Sequence, residues 1–510
     1  MPPRSYRRCR QHGVAKSARS GQLRILVSLG IVERSRPGIS WFPSKSLAKA
    51  SNPVKGSCEA IPVHVPMTAT QLKNIALFAS KLGYQTRSFE AAARKLGVQF
   101  VYVTDRCHEL SDPWGDCAIP VRFANAEEAA ASAIRSLRGK PLDAILALGD
   151  APAVAASYAA RGLGIRANHP AAVEVCHNKL RMREVFRDAR VFSPPTTLWF
   201  RSIPLLPEPE PSLLGIQYPC VLKPLSLSAS QGVMRANSHD EFREAARRLA
   251  HLLEHPDLRM KSESLASEAL VEQYIPGAEV AVEGILVDGD LKLLAIFDKP
   301  DPLEGPFFEE TIYITPSRLS SEQQTAIYRS AMQAIRAIGL SHGPVHAEFR
   351  VNERGVWPIE VAPRPIGGMC AASLAFVSPA HFGSIGLEEL ILRHALGEDI
   401  STWQRESAAS GVMMIPVPSS GIFEQVDGVE EAKRVPHVTE VQITARLRDA
   451  ILTWPEGSSY LGFIFAKAEY PADAERALRE AHSRLRFQIQ QTLRVEHPIT
   501  GKVLDPQTHN

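Results

Sequence analysis

The stretch from residue 345 to residue 368 constrains this chain more than any other. Val345-His-Ala-Glu-Phe-Arg-Val and Trp357-Pro-Ile-Glu-Val-Ala-Pro-Arg-Pro-Ile-Gly-Gly read as two strands joined by the turn Asn352-Glu-Arg-Gly, each setting one acid, Glu348 or Glu360, among apolar neighbours. Two carboxylates on one buried face repel each other unless a cation stands between them. Mg²⁺ suits that place, because it is a hard ion that takes one or two carboxylates and completes its shell with phosphate oxygens; Mn²⁺ is the alternative. Arg364, four residues beyond Glu360, offers a bidentate fork to a transferred phosphoryl group. The plainer alternative is a hairpin whose two acids face solvent.

Three clusters precede this hairpin. Lys179 opens a helical stretch in Cys176-His-Asn-Lys-Leu-Arg-Met-Arg, and Lys223 ends an apolar strand in Tyr218-Pro-Cys-Val-Leu-Lys-Pro. A lysine among apolar residues is costly to bury unless it meets an anion, and the small-residue loop that follows, Ser226-Leu-Ser-Ala-Ser-Gln-Gly-Val, lets backbone N–H groups approach phosphate oxygens. Taken singly, each lysine also fits a snorkelling surface residue and the loop fits an ordinary turn. The third cluster, Leu270-Val-Glu-Gln-Tyr-Ile-Pro-Gly-Ala-Glu, passes from a strand through a turn, where main-chain groups can meet an adenine edge while Glu279 accepts from ribose hydroxyls. A plain β-hairpin is the competing reading.

Around these clusters the chain alternates strand and helix. Residues 75–79, 89–96, 98–103, 126–137 and 142–148 read as strand, helix, strand, helix and strand, which implies a small doubly wound parallel sheet up to about residue 170. A helix follows near 181–190, and prolines between 204 and 219 mark a connector. Strands are expected near 270–273, 280–287 and 291–297, with helices near 242–253 and 321–338. An amphipathic helix over 472–493 closes a further small domain. The expected divisions are thus 1–66, 67–170, 171–400, 401–500 and a tail, 501–510.

Composition excludes several classes. Of 510 residues 45% are hydrophobic and 22% charged, and no apolar run reaches the roughly 18 residues of a membrane span, so no membrane partner is expected. The seven cysteines are scattered without a CxxC pair, which disfavours a disulfide framework or zinc site and suits a reducing, cytoplasmic setting. Residues 1–66 hold twelve Lys and Arg against two acids, while the whole chain carries only +3. This basic segment reads as a transit-like leader, a nucleic-acid-binding arm, or an over-extended start ahead of Met67 with no fold of its own. Nucleic acid is disfavoured as a partner of the remainder, and a homodimer stays open beside a monomer.

The order Lys179, Lys223 with its Ser/Gly loop, Glu272 to Glu279, Glu348, Glu360 and Arg364 resembles the ATP-grasp superfamily over about residues 70–400. The tail to about 490 is similar to the C-terminal extension of carnosine synthases and bacterial L-amino acid ligases. The resemblance implies an ATP-grasp fold, α/β and α+β, with an N-terminal doubly wound domain and a small C-terminal α+β domain. It also implies an ATP-dependent carboxylate–amine ligase that forms an amide through an acyl phosphate and releases ADP and phosphate. Lys179 and Lys223 would hold ATP phosphates, and Ser226, Ser228, Ser230, Gly232 and Val233 would close over them. Glu272, Gln273, Tyr274 and Ile275 would frame the adenine, and Glu279 would take the ribose. Glu348 and Glu360 would ligate Mg²⁺, and Arg364 with Lys223 would act in catalysis. Candidate substrate contacts are Glu310, His346, Gly367 and Gly368.

Two positions depart from the family pattern. Ala362 stands where Asn is frequent, removing one metal-ligand oxygen, and Gln231 replaces a frequent Arg beside the loop glycine. Two other functions compete. One is a bicarbonate-using ATP-grasp carboxylase, although the chain has no Met-Lys-Met biotin site; the other is a nucleotide-binding module without turnover.

Overall fold

The computed structural model describes residues 72–80, 83–105, 118–200, 215–225, 227–255, 258 and 268–491, with the short pair Val495–Glu496 and Val503–Leu504. The basic segment 1–66, most of the proline-rich connector, Ser226 and most of the tail 501–510 lie outside the described residues.

The first layer is a four-stranded parallel sheet in the order Ala118–Pro120, Val98–Thr104, Lys73–Ala79, Ala144–Leu148. Parallel neighbours need crossovers, supplied by the helices Tyr84–Leu96 and Ala126–Leu137. Strand Lys73–Ala79 is nearly all apolar because both its faces are covered: Ile75 and Leu77 face one core, Ala76 and Phe78 the other. Ala144–Leu148 ends at Gly149, whose φ of 102° favours glycine and turns the chain so that Asp150 starts the helix Asp150–Leu163.

A second sheet orders Thr196–Phe200, Ala269–Gln273, Cys220–Pro224 and Met234–Ala236. The helix His239–Leu253 lies over it, burying Phe242, Ala245, Leu249 and Leu252 at helical spacing, and Ser238 caps its start by accepting from the Glu241 N–H. The largest sheet has eight strands, in the order Gly355–Ala362, Gly343–Asn352, Ala278–Val287, Asp290–Lys299, Ile312–Thr315, Ala409–Ile415, Gly462–Ala468, Val438–Ile443. Its pairs are antiparallel. The helix Ser321–Ile338, closed by a Ser320–Gln323 capping box, covers one face.

The sheet runs without a break from the acid-bearing hairpin into the C-terminal strands, so residues beyond 401 share its hydrogen-bonded frame. The expected helix over 472–493 is shorter. It spans Pro471–Arg484, Leu485 is already extended (ψ 137°), and Arg486–Gln490 pairs with Gly421–Asp427. Phe487 and Ile489 alternate with polar residues and join the C-terminal core, so strand periodicity takes over there from helical periodicity.

Candidate functional site

Lys179 is the first residue of the helix Lys179–Asp188, whose start is fixed by Asn178 accepting from the Arg181 N–H (3.1 Å). Its ammonium donates to the Leu227 carbonyl (2.9 Å) and lies 3.4 Å from Oε2 of Glu360, so one side chain touches both the small-residue loop and the acid-bearing strand. One helical turn on, Arg183 Nε donates to Oε1 of Glu272 (2.5 Å) and Arg183 Nη2 donates to the Ile359 carbonyl (2.7 Å). The other oxygen of Glu272 meets Lys223, and all three side chains are buried. Burial pushes the Lys223 ammonium down to about 8 against the pull of Glu272, with Arg183 and Lys179 adding to the depression. Burial would raise Glu272, yet Arg183 and Lys223 outweigh it and hold the carboxyl below its usual range.

The loop after Lys223 is tightly wound: Ala229, Ser230 and Gly232 have φ of 56, 53 and 74°, in the left-handed region, and the N–H groups of Gln231 and Val233 donate to the Ser228 (3.3 Å) and Ser230 (3.1 Å) carbonyls. For Ala229 and Ser230 that conformation costs about 1 kcal/mol each, so other contacts must hold it. Gly232 is required twice over, because a Cβ there would also stand 2.9 Å from Leu249 Cδ1.

At the expected adenine hinge, the N–H groups of Gln273 and Tyr274 donate to the carbonyls of Pro195 (3.0 Å) and Pro219 (3.0 Å). The Tyr274 ring faces the guanidinium groups of Arg235 (4.1 Å) and Arg350 (5.6 Å), with Leu303 and Phe308 packed beside it and Val233 at the edge. Ile275 is buried.

The acid side follows from strand register. Glu348 stands opposite Glu360 across the hairpin, with a bulge just after Glu348, and Glu279 stands opposite both Arg350 and Lys299. Lys299 gathers Glu279 (2.8 Å), Glu310 (2.7 Å) and Glu348 (2.9 Å) around its ammonium. These three carboxylates each offer an oxygen within 4.8 Å of the others. Burial opposes the charge on Lys299, but the three acids raise it well above the ordinary lysine value. Glu348 is held well below the usual carboxylate range despite burial, by Lys299 and by His346. Burial pushes Glu310 up to about 7, with Lys299 opposing the rise. His346 lies behind Glu348: its Nδ1 contacts the fully buried Glu283 (2.7 Å) and its Nε2 faces Glu348 (3.5 Å).

Arg364 is half-buried and reaches the N-terminal layer. Its Nε donates to Oδ1 of Asp150 (2.6 Å) and its Nη2 to Oδ2 (3.3 Å), a fork held at the strand-to-helix turn after Gly149. Gly367 has open space where a side chain would project, whereas a Cβ on Gly368 would press on Met414 Sδ at 3.0 Å.

The sequence candidates therefore divide. Lys179 directly joins Glu360 to the loop that bears Ser228, Ser230, Gly232 and Val233, Glu348 stands in register with Glu360, and Lys223 pairs with Glu272; Ser226 lies outside the described residues. The Glu272 side chain, expected near the adenine, is held in a buried ion-pair cluster. It is consumed by Arg183 and Lys223, because an acid 3% exposed beside two cations must pair with them. Glu279 is tied to Lys299 and Arg350, and His346 supports Glu348 from behind instead of facing open space. Sequence reasoning missed Arg183, Asp150 and Arg350 as members of the site. Asp150 carried one usable signal, an acid just after the glycine that ends a buried strand.

Lys299 and His346 use Oε1 of Glu348, and Lys179 approaches Oε2 of Glu360, so each acid has a further carboxylate oxygen of the hard type that a divalent cation would take.

Comparison with known proteins agrees with this layout. Residues 216–373 match the ATP-grasp domain family, and residues 413–490 match L-amino acid ligase C-terminal domain 2. The chain is 26% identical over 322 residues to ATP-grasp enzyme fsqD of Aspergillus fumigatus, covering 55% of this chain and 53% of that protein. It is 30% identical over 217 residues to alanine–anticapsin ligase of Bacillus subtilis, covering 40% and 44%. It thus spans about half the length of these curated relatives. The crystal structure of L-amino acid ligase from Bacillus licheniformis superposes with a TM-score of 0.68 at 26% identity, covering 82% of this chain and 99% of that one. The two family matches lie along one continuous sheet that carries paired acids beside two lysines: the chain has the ATP-grasp fold, with an ATP-grasp domain over residues 216–373 and an L-amino acid ligase C-terminal domain over residues 413–490.

Proposed function

We propose that the chain is an ATP-dependent ligase that activates a small carboxylate as an acyl phosphate and joins it to an amine, an amino acid serving as at least one substrate. The observation that carries this reading is Lys179, whose ammonium bridges the small-residue loop and Glu360, with Glu348 in register on the neighbouring strand. Phosphates entering there would meet ammonium groups and metal-binding acids at once.

Lys179 and Lys223 would take the phosphate charge. Mg²⁺, or Mn²⁺, held by Glu348 and Glu360, would supply charge neutralisation at the phosphate oxygens. Ala362 contributes no third side-chain ligand, so one metal site is the simplest reading. Arg364, fixed by Asp150, would orient the carboxylate or its acyl phosphate without having to search for a geometry. Glu310, pushed up to about 7, is matched to receive the proton that the attacking amine loses. The loop would exclude water, since an acyl phosphate hydrolyses readily. The backbone of residues 273–275 would take the adenine edge, and Gly367 would leave room for a substrate side chain.

The substrates are small molecules, and no helix among the described residues is long and apolar enough to cross a membrane. Cys176, Cys220 and Cys370 are free and buried, which suits the reducing setting we assign to the protein. A phosphate-release screen against pairs of amino acids, amines and bicarbonate tests the reading. Phosphate release that needs both a carboxylate and an amine supports it; turnover driven by bicarbonate alone replaces it with the carboxylase reading.

A further inference from the structure

We propose that residues 454–456 of the C-terminal region are a latch that holds the phosphate loop 228–232 in its closed geometry, with Trp454 and Glu456 as positioning residues. The inference rests on the ATP reading above, and its basis is four contacts between segments more than 200 residues apart. The Gly232 N–H donates to the Pro455 carbonyl (2.9 Å). Gln231 Nε2 donates to the Glu456 carbonyl (2.7 Å), and Trp454 Nε1 donates to the Ala229 carbonyl (3.1 Å). The Glu456 carboxylate receives a two-pronged contact from Arg248, on the helix that backs the loop, with Nη2 to Oε2 at 2.7 Å.

Each contact meets a need of the loop. Ala229 and Ser230 occupy a backbone region that non-glycine residues avoid, and the bonds to Ala229, Gln231 and Gly232 flank those positions. The latch itself is rigid. Trp454 is 4% exposed and packs against Tyr460, ring centroids 4.9 Å apart and tilted by 33°, and a Cβ on Gly457 would meet the Leu452 carbonyl oxygen at 2.1 Å. Arg248 lies over the Phe307 ring at 4.8 Å, so its guanidinium is pre-set toward Glu456. Gln231, where an Arg is frequent in the family, spends its side chain on this latch. Loop closure thus depends on the C-terminal region as well as on the bound nucleotide.

Three full-length variants test this: Glu456→Gln, Trp454→Phe, which keeps a ring but loses the N–H donor, and the charge swap Arg248→Glu with Glu456→Arg. Binding of a non-hydrolysable ATP analogue with Mg²⁺ is followed by calorimetry, and the ratio of phosphate released to amide formed is measured in turnover. Glu456→Gln should weaken analogue binding about fivefold, the size of a half-exposed two-pronged charge pair, and raise the phosphate-to-amide ratio as acyl phosphate leaks to water. Trp454→Phe should shift both readouts in the same direction, and the swap should recover most of the Glu456→Gln loss. Unchanged binding and ratio in both single variants would overturn the latch, as would a swap no better than Glu456→Gln. No analogue binding by the unaltered chain would overturn the ATP reading itself, and the latch with it.

Discussion

The two halves of the site are charged in opposite ways. On the phosphate side Arg183 and Lys223 share the single buried acid Glu272 and Lys179 stands at the loop beside them, leaving positive charge to spare. On the acid side Glu279, Glu310 and Glu348 surround the one ammonium of Lys299, with Arg350 sharing Glu279 and His346 sharing Glu348. Glu360, reached by Lys179, stands between them. The difference shows how one cleft can receive an anion and a cation side by side: phosphates belong where lysines outnumber acids, and a metal ion or a substrate ammonium where acids outnumber lysines. Burial works against the charge on each half, moving Lys223 down to about 8 and Glu310 up to about 7, toward their neutral forms.

Three experiments break or sharpen that contrast. The largest effect is expected for Glu360→Gln at the junction, which removes a metal ligand while keeping shape. Turnover should fall about a thousandfold with little change in thermal midpoint, and an unaltered rate would mean that the two halves do not meet at a metal. Next come the paired substitutions Lys299→Met and Lys223→Met. Removing Lys299 leaves Glu310 without a cation and weakens the pairing of Glu279 and Glu348, which keep only Arg350 and His346, and should cost roughly 3 kcal/mol in denaturant titration, whereas Glu272 still keeps Arg183 when Lys223 is lost, so the second variant should cost about 1 kcal/mol and lose ATP affinity instead. Equal stability losses would break the comparison. The smallest effect is in pH. Folding depresses the Lys223 pKa, so its positive form disappears as pH rises through about 8. Accordingly kcat/KM for ATP should fall by up to about tenfold per unit above that pH, while Lys223→Arg should keep a flat profile there.

The parts of this site that were legible in sequence are those fixed by neighbouring residues. Glu348 and Glu360 could be paired because a short turn joins their strands, and the observed register sets them opposite each other. The helix over 321–338 was legible because its apolar period and its Ser320 and Gly339 ends agree. What stayed hidden depends on distant pairing. Glu272 meets Arg183 from 89 residues away, and the Arg364–Asp150 fork spans 214. No local pattern distinguishes a carboxylate bound for a buried ion pair from one bound for a nucleotide, which is why Glu272 read as part of the adenine hinge. The end of the Pro471–Arg484 helix was hidden for a different reason: Phe487 and Ile489 fit either period in so short a run, and pairing with Gly421–Asp427 decided the outcome.

The most direct test of the central claim, that a carboxylate is activated by phosphorylation, is isotope transfer. The productive substrate pair from the phosphate-release screen is supplied with ¹⁸O in both carboxylate oxygens, together with ATP and Mg²⁺, and the products are weighed by mass spectrometry. An acyl phosphate route predicts one ¹⁸O in the released inorganic phosphate, one in the amide, and ADP as the nucleotide product. Label appearing in AMP, or phosphate free of ¹⁸O while amide accumulates, would contradict it.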